Sequence, residues 1–341
     1  TQIIILAHTR EMAAQIWAVM VSLNKYLNAR VNLSTASIPY SQNISELLGV
    51  APKREVSSWG TRDKLATTPD DNTTRDTSGP LVPQIIIGTP GRIIDMTKQN
   101  ALKTDRLKVL VLDEADELLG DGFQYQIKSI ISGLGPDTQI ALFSATYNVG
   151  VFKLTRHFMN KPIRILVKNE ELTLDGIKQY YVNVLDNQYK FETLCDIYGV
   201  LTISQTIIFC NNQRTVDYLA RKMRANNFTV ACIHGDMSVL DREETMKEFR
   251  SGKSKVLIAT DIIGRGIDVQ SVSIVINYEL PHKISNYIHR IGRSGRYGRK
   301  GCGINFICED EADIAKLKQI QSYYHTEINE LPAKLETIIV E

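Results

Sequence analysis

The stretch that decides the fold is KVLVLDEADELL, residues 108–119. Four apolar residues lead directly into Asp113, Glu114 and Asp116, so three carboxylates lie within four positions at the end of a predicted strand. An unbroken Val/Leu run of this kind is typical of a central strand in a parallel sheet that helices cover on both faces. Carboxylates crowded together repel one another, so we expect a positive charge to face them.

Similar apolar runs alternate with amphipathic helical stretches along the whole chain. This alternation predicts an α/β fold of the doubly wound type, in which parallel sheets carry helices on both faces. The predicted strands are residues 3–7, 84–88, 109–113, 139–144, 205–210, 229–233, 256–260, 273–278 and 303–307, with a further strand around Leu33. The predicted helices include residues 11–27, 122–133, 213–226, 239–250 and 311–323.

The length of the chain, 341 residues, favours two domains over one. We predict an N-terminal domain at residues 1–165, a linker at 166–176 and a C-terminal domain at 177–341, because the linker LVKNEELTLDG carries charge between two α/β halves. Residues 38–83 are rich in Ser, Thr, Asn, Asp and Pro and poor in aliphatic residues, which predicts a disordered insertion in the first domain.

Composition excludes several classes of protein. The formal net charge is only +2, so any contact with nucleic acid must come from local basic clusters. No apolar run approaches the roughly 18 residues of a membrane span. The five cysteines contain no C-x-x-C pair and are predicted to be reduced thiols. We therefore expect an intracellular protein with no membrane contact.

Polar clusters follow three of the predicted strands. The acids follow residues 109–112, Ser-Ala-Thr follows residues 141–143, and Thr-Asp follows residues 257–259. In doubly wound sheets, ligands bind at the carboxyl ends of the strands. The sequence therefore predicts ligand sites at these ends.

Paired carboxylates at a strand end are one way to hold a Mg²⁺–nucleotide, because one acid holds the metal and the next orients or deprotonates the attacking water. We predict that Asp113 faces Mg²⁺ through water, that Glu114 is the general base, and that Asp116 accepts hydrogen bonds from Ser144 and Thr146. The alternative from the residues alone is an acidic first turn of a helix, which the helix dipole favours.

Four motifs resemble those of the DEAD-box ATP-dependent RNA helicases, in the same order and spacing. They are TPGR at residues 89–92, DEAD at 113–116, SAT at 144–146 and HRIGRSGR at 289–296. The resemblance covers nearly the whole chain except residues 38–83. Segments such as HGDM and RGIDVQSVSIVINY are similar to the translation initiation factor 4A group, including its exon-junction and ribosome-biogenesis relatives.

This resemblance implies two RecA-like domains, the first of them incomplete, that close over ATP, Mg²⁺ and single-stranded RNA. It implies RNA-stimulated ATP hydrolysis with local unwinding of short duplexes, in translation initiation or RNA processing. It also implies a monomer in the nucleus or cytoplasm, with scaffold or exon-junction-type protein partners besides RNA.

The resemblance also assigns residues to the ATP site. Arg293 and Arg296 match the arginines that bind the γ-phosphate, for which a permanently charged, bidentate guanidinium is suited. Asp268 matches the ribose contact, and His289 matches the residue that links this motif to the acids and to Ser-Ala-Thr. From the residues alone, the arginines could form a solvated basic loop, Asp268 a turn acid and His289 a core histidine.

The residues that the resemblance assigns to RNA occupy both domains. Small residues and helix N-termini let backbone N–H groups approach phosphates, so binding should not depend on RNA sequence. From the residues alone, these positions could also be ordinary turn residues. The assigned residues are Thr9, Arg10, Glu11, Thr89, Gly91, Arg92, Arg242, Thr260, Asp261 and Gly264.

One family element, the phosphate-binding loop G-x-x-x-x-G-K-[ST], is not found in residues 1–341, and neither is the glutamine motif. The single Gly-Lys-Ser, at residues 252–254, has Lys247 where the loop requires glycine, and it follows a predicted helix instead of a strand. We expect these 341 residues alone to hydrolyse ATP weakly or not at all. The alternative function is an RNA-binding or partner-binding scaffold without ATPase activity.

Overall fold

The computed structural model describes residues 1–27, 29–48, 82–120, 122–146, 149–166, 176–200, 205–261, 272–295 and 300–332. The chain divides into two compact units, Thr1–Pro162 and Ile163–Glu341. The predicted linker at residues 166–176 lies almost entirely outside the described residues.

The first unit is built on a parallel sheet with the strand order β2-β3-β1-β4-β5. Apolar clusters lie on both faces of this sheet, since Ile4 and Leu6 belong to one cluster while Ile5 and Ala7 belong to the other. Its elements are β1 (Ile3–Leu6), α1 (Arg10–Leu23), β2 (Val31–Ser34), α2 (Tyr40–Leu48), β3 (Ile85–Gly88), α3 (Pro90–Lys98), β4 (Val109–Asp113), α4 (Ala115–Leu118), α5 (Gln124–Ser132), β5 (Gln139–Phe143) and α6 (Val149–Phe158).

The second unit is built on a parallel sheet with the order β12-β6-β11-β10-β7-β9-β8. Ile276 and Val275, neighbours on one strand, belong to apolar clusters on opposite faces. Its elements are β6 (Ile177–Val184), α7 (Lys190–Val200), β7 (Thr206–Phe209), α8 (Gln213–Ala225), β8 (Val230–Ile233), α9 (Val239–Arg250), β9 (Val256–Ala259), β10 (Ile274–Asn277), α10 (Ile284–Ile291), β11 (Gly301–Cys308), α11 (Glu311–Tyr324) and β12 (Asn329–Glu330).

The predicted fold class is confirmed, because both sheets are parallel and carry helices on both faces. The nine predicted strands lie within two residues of observed ones. Strand β6 was not predicted, since Lys178, Gln179 and Asn183 interrupt its apolar pattern.

The prediction of disorder from residue 38 onward is wrong for its first part, because α2 occupies Tyr40–Leu48. Asn43 and Leu47, one helical turn apart, are buried, and the Asn43 amide donates to the backbone oxygen of Leu33 at 3.0 Å. Two inward-facing residues thus anchor a helix that also carries the polar residues Ser41, Gln42, Ser45 and Glu46. The remainder of the predicted insertion, from residue 49 to 81, lies outside the described residues.

Two expectations about composition can be compared with the structure. All five cysteines are free thiols. Among the described residues, no helix combines the length and the apolar character that a membrane span requires.

Candidate functional site

The first unit brings its predicted site residues to one edge of the sheet. Strands β3, β1, β4 and β5 are parallel neighbours, so the segments that follow them meet at the carboxyl edge. Thr89 follows β3, Thr9 comes shortly after β1, Asp113 ends β4, and Ser144 follows β5. The acids and the predicted RNA-binding segments of this unit therefore share one edge.

The hydrogen bonds predicted for Asp116 are present. Ser144 Oγ donates to Asp116 Oδ1 at 2.8 Å, and Thr146 Oγ1 donates to Asp116 Oδ2 at 2.5 Å. The Ser144 hydroxyl oxygen also accepts from the backbone N–H of Thr146 at 3.3 Å. Asp116 therefore ties the first turn after β4 to the segment after β5, and both of its carboxylate oxygens are used within the protein.

Asp113 has a different environment. Among the described residues, the Asp113 carboxylate accepts a hydrogen bond from the backbone N–H of Glu114, at 3.0 Å to Oδ1. Burial raises the pKa of Asp113, and this hydrogen bond opposes the rise. Asp113 is thus a half-buried carboxylate with little hydrogen-bonding support, which suits a group that binds a cation.

Glu114 lies at a strained position. Its φ of 51° and ψ of 55° place a non-glycine residue in the left-handed region, where it precedes the first residue of α4. Such residues cost about 1–3 kcal/mol and persist where the surrounding structure holds them. Glu114 forms the turn between strand and helix, because β4 ends at Asp113 and α4 begins at Ala115.

The donor set at this edge fits Mg²⁺, which prefers carboxylate and water oxygens over nitrogen or sulfur ligands. Asp116 has both oxygens engaged by hydroxyl groups, which leaves Asp113 as the carboxylate best suited to hold the metal. Burial raises the pKa of Asp113, and a nearby cation would oppose this rise because it favours the ionised form.

Two helix N-termini, those of α1 and α3, carry the predicted RNA-binding residues of the first unit. Thr9 caps α1, since its Oγ1 accepts from the backbone N–H of Met12 at 3.2 Å, and Arg10 and Glu11 form the first turn. Thr89 precedes α3, whose first residue is proline. Both N-termini point toward the carboxyl edge, because each helix follows its strand directly.

Gly88 and Gly91, in the same turn, have opposite surroundings. A Cβ at Gly88 would overlap the backbone oxygen of Ser34 on the neighbouring strand, so packing requires glycine there. A Cβ at Gly91 would have no described atom within 4 Å, so packing does not require glycine. Open space beside a helix N-terminus is what the close approach of a phosphate needs.

Arg92 contacts the protein itself. Its guanidinium donates to Asn43 Oδ1 and to the backbone oxygen of Ile38, each at 3.0 Å, and lies over the Tyr40 ring at 5.3 Å. These contacts tie α3 to the start of α2. The side chain of Arg92 therefore has a structural role, and its contact with RNA stays a prediction.

In the second unit, the centre of the predicted site is Arg290, a residue that the sequence prediction did not include. Its side chain is fully buried and forms a bidentate ion pair with Asp261, with Nε to Oδ1 at 2.5 Å and Nη2 to Oδ2 at 3.0 Å. It also donates to Asn277 Oδ1, Asn211 Oδ1 and the backbone oxygen of Glu279. Asp261 also accepts from Asn286, one turn before Arg290 on α10.

This network joins two predicted motifs, because Asp261 follows β9 and Arg290 lies on α10 beside His289. The available signal was the position of Arg290 inside HRIGRSGR, flanked at i−4 by the hydrogen-bonding Asn286. The prediction assigned Asp261 to RNA, whereas both of its oxygens are engaged within this unit. Its contact with RNA stays a prediction.

The structure describes four other predicted residues of the second unit. His289 and Arg293 are both nearly buried, and Arg293 Nε donates to the backbone oxygen of His289 at 3.0 Å. Thr260, also buried, precedes Asp261, while Arg242 lies in the first turn of α9. Gly264, Asp268 and Arg296 lie outside the described residues.

The sequence Gly-Lys-Ser at residues 252–254 does not form a phosphate-binding loop. It turns from α9 into β9, and Lys253 pairs with Glu248 of the preceding helix. A phosphate-binding loop leads from a strand into a helix.

Comparisons with known proteins follow the motifs. Residues 1–154 match the family described as DEAD/DEAH box helicase, and residues 189–298 match the helicase conserved C-terminal domain. Eukaryotic initiation factor 4A of Caenorhabditis elegans is 47% identical over 338 residues, which are 99% of this chain and 76% of that protein. The ATP-dependent RNA helicase FAL1 of Yarrowia lipolytica is 46% identical over 98% of this chain and 76% of its own length.

Solved structures of Saccharomyces cerevisiae Dbp5 are among those similar to this chain. Saccharomyces cerevisiae Dbp5 bound to RNA and ADP BeF3 has a TM-score of 0.81 and 31% identity, covering 99% of this chain and 80% of that chain. A Dbp5 variant bound to a Gle1 variant and IP6 has a TM-score of 0.72 and 31% identity, covering 99% of this chain and 79% of that chain.

Proposed function

Because this chain belongs to the DEAD-box family of ATP-dependent RNA helicases, in the group of eukaryotic initiation factor 4A, we propose that it binds single-stranded RNA and locally unwinds short duplexes as it hydrolyses ATP. The observation that carries this proposal is the arrangement of the three acids at residues 113–116. Asp116 binds the hydroxyls of Ser144 and Thr146, and Asp113 and Glu114 lie at the same edge of the sheet.

The acids of the first unit have separate roles in this proposal. Mg²⁺, when bound with ATP, neutralises the charge that develops on the phosphates. Asp113 holds the metal through water, and Glu114 orients the attacking water and accepts its proton. Asp116 keeps the two strand ends in register through Ser144 and Thr146.

Residues of the second unit bind other parts of ATP. Arg293 and Arg296 bind γ-phosphate oxygens, Asp268 contacts the ribose, and His289 links this motif to the acids and to Ser144 and Thr146. Guanidinium groups suit phosphate because they stay charged and bind two oxygens at once. The similar protein Dbp5 has been solved with both RNA and ADP BeF3 bound, which supports the proposal that this chain binds RNA and a nucleotide together.

The RNA-binding residues contact phosphates and sugars, not base edges, so the protein is expected to accept RNA of any sequence. In the first unit they are Thr9, Arg10, Glu11, Thr89, Gly91 and Arg92, and in the second Arg242, Thr260, Asp261 and Gly264. We also propose that the protein works as a monomer in the nucleus or cytoplasm with protein partners. The Dbp5 variant described as bound to a Gle1 variant supports partners of that kind.

The ATP-dependent activity is expected to need a phosphate-binding loop that residues 1–341 do not contain. Without its backbone N–H groups and lysine, the β-phosphate lacks the charge-assisted contacts that hold it. We therefore expect the 341 residues alone to turn over ATP weakly or not at all. The scaffold alternative is not favoured, because the relatives at 46–47% identity are an initiation factor 4A and an ATP-dependent RNA helicase.

The test compares two proteins. One is the 341-residue chain, and the other is a fusion in which the segment of the C. elegans relative that precedes the matched region is joined to Thr1. The fusion should hydrolyse ATP faster when single-stranded RNA is added and should separate a short RNA duplex, whereas the chain alone should show little turnover.

Glu114→Gln is the control for chemistry, since it retains the size of the side chain but removes the base. It should lower turnover by the fusion at least about 100-fold without changing RNA affinity. A fusion that binds ATP but neither binds RNA nor responds to it would overturn the helicase proposal. Turnover by the chain alone that Glu114→Gln abolishes would overturn the need for the added loop.

A further inference from the structure

Helix α10 packs unusually close to strand β11. Gly301, Gly303 and Asn305 alternate along β11 and therefore share one face, opposite Cys302, Ile304 and Phe306. A Cβ at Gly301 would lie 2.5 Å from the backbone nitrogen of Gly295, and a Cβ at Gly303 would lie 3.2 Å from Ile291 Cγ2. Two glycines thus let the end of α10 and the following turn approach the strand.

The third residue on this face, Asn305, contacts α10 one turn before Ile291, at Tyr287. Its Nδ2 donates to Tyr287 Oη at 3.2 Å and to the backbone oxygen of Tyr180 at 2.9 Å. The contacts along β11 meet Tyr287 and Ile291, which lie four positions apart on one face of α10, and Gly295 in the turn that follows the helix. The strand therefore packs against α10 from Tyr287 to Ile291 and against the turn after it.

A buried chain of hydrogen bonds extends from this contact in both directions. Toward the site, Asn277 Nδ2 donates to Asn305 Oδ1 at 2.8 Å, and Asn277 Oδ1 accepts from Arg290 at 3.2 Å. Away from the site, Tyr287 Oη donates to Gln179 Oε1 at 2.8 Å, and Gln179 Nε2 donates to Thr326 Oγ1 at 2.8 Å.

The polar side chains of this network lie in the interior of the sheet. Asn277, Asn305, Tyr287 and Arg290 are fully buried, and Gln179 is 6% exposed. Polar groups in such positions are costly unless they are fully paired, so each is held in one orientation by its neighbours. The network thereby crosses three adjacent strands, β10, β11 and β6.

We propose that Gly301, Asn305 and Tyr287 are positioning residues, which fix α10 on the sheet and so set the placement of His289 and Arg293 for ATP hydrolysis. The proposal rests on the proposed function, because it assumes that Arg293 binds the γ-phosphate. Its physical reason is that a rigid helix carries its side chains as one body, so a shift at Tyr287 displaces His289 and Arg293 as well. A displacement of 1 Å at a catalytic group can lower turnover about 100-fold.

Two variants test the contact between α10 and β11, each with a matched control. Tyr287→Phe removes one buried hydroxyl at α10, and Tyr198→Phe removes a buried hydroxyl on α7, in the same unit but outside this network. Gly301→Ala inserts a methyl group against the Gly295 backbone, and Gly199→Ala inserts one into open space on α7. If Gly301→Ala does not fold, the hydroxyl pair still decides the question.

The first measurement is native-state hydrogen exchange of backbone amides on the 341-residue chain. Tyr287→Phe should speed exchange in α10 at least about fivefold, the effect of losing the two buried hydrogen bonds that this hydroxyl makes with Gln179 and Asn305, and leave β7 and β9 nearly unchanged. Tyr198→Phe should not change exchange in α10. An equal rise throughout the second unit would show a general loss of stability and would overturn the proposal.

The second measurement is RNA-stimulated turnover by the fusion protein. Tyr287→Phe should lower kcat with little change in the KM for ATP, whereas Tyr198→Phe should change neither. Faster exchange in α10 with an unchanged kcat would overturn the positioning role. A wild-type fusion that fails to hydrolyse ATP would refute the proposed function instead. Amide hydrogen exchange in α10 would then decide by itself whether Gly301, Asn305 and Tyr287 fix the helix on the sheet.

Discussion

Two charged residues, Asp113 in the first unit and Arg290 in the second, have opposite environments. Arg290 is fully buried and donates to Asp261, Asn277, Asn211 and the Glu279 backbone. Asp113 is half-buried, and the described hydrogen bond to its carboxylate comes from the next residue along the chain.

The difference separates groups that hold the structure from groups that are kept for a ligand. A buried charge with every donor satisfied stabilises one arrangement of its surroundings. A carboxylate whose pKa is raised by burial is destabilising for the fold, so it is expected where a ligand supplies the missing charge. The variants described next test whether Arg290 stabilises the fold and whether Asp113 is kept for a ligand.

The largest effect is expected from Arg290→Gln. The change leaves the Asp261 carboxylate without its bidentate partner, which should lower the free energy of unfolding of the second unit by about 3 kcal/mol. Asp261 is 30% exposed, so water compensates part of the loss. The measurement is urea unfolding followed by a probe in the second unit.

A double-mutant cycle with Asp261→Asn serves as the control. The double variant should lose much less than the sum of the two single variants, because each single change already removes the ion pair. Additive losses would contradict the view that Arg290 acts mainly through Asp261. Arg290→Lys should not restore stability, since lysine cannot form the bidentate pair.

Asp113→Asn should give the opposite result. Turnover by the fusion protein should fall about 10- to 100-fold, because the group proposed to hold the metal through water has lost its charge. The folded first unit should nevertheless become slightly more stable at neutral pH, since a buried carboxylate has been replaced by a neutral amide. Thermal unfolding and ATPase assays on the same samples check both signs.

Asp116→Asn is the comparison variant for that experiment. It should lower stability as well as activity, because the Ser144 and Thr146 hydroxyls both donate to this carboxylate. Equal stability changes in the two variants would contradict the distinction between a ligand-binding acid and a structural one.

The sequence predicted most of the fold because buried parallel strands have a strong signal. β9 reads as Val-Leu-Ile-Ala between polar residues, and all four residues are buried. β6 gave no such signal, because Asn183 and Gln179 interrupt its apolar residues. Gln179 is nevertheless buried, and its side chain donates a hydrogen bond to Thr326. A polar residue that is paired across 147 positions cannot be recognised from local pattern.

The candidate site was predictable to a similar degree. Asp116 with Ser144 and Thr146 followed from the placement of polar residues at adjacent strand ends. Arg290 was missed, because buried arginines are rare and its partners come from segments as far as 79 positions away. The structural role of Arg92 was missed for a different reason, because its partner Asn43 lies on α2, within a stretch whose composition indicated disorder.

A smaller effect is expected from two glycines of one turn, and it should separate packing from ligand binding. Gly88→Ala places a methyl group against the Ser34 backbone oxygen and should lower stability by about 1–3 kcal/mol. Gly91→Ala enters open space within a helix and should leave stability unchanged or slightly higher.

The same pair should differ in RNA binding. Gly91→Ala should weaken the affinity of the fusion for single-stranded RNA about three- to tenfold, as expected for one lost backbone contact to phosphate. Binding can be measured by fluorescence anisotropy with an oligouridine. Unchanged affinity in Gly91→Ala would remove Gly91 from the RNA-binding residues, because its substitution has no structural effect to mask the result.

The smallest effect is the pH dependence that Asp113 gives to the first unit. Because burial raises its pKa above the unfolded value, the folded state binds the proton more tightly. Proton binding by Asp113 therefore stabilises the folded state. This stabilisation is complete below the unfolded pKa of about 4 and is lost as pH rises through the folded pKa. Asp113→Asn removes this dependence, so the difference in unfolding free energy between wild type and variant should change in favour of the variant as pH increases from 4 toward neutral. Urea unfolding at several pH values checks the sign, and a difference that is constant over this range would contradict a raised pKa at Asp113.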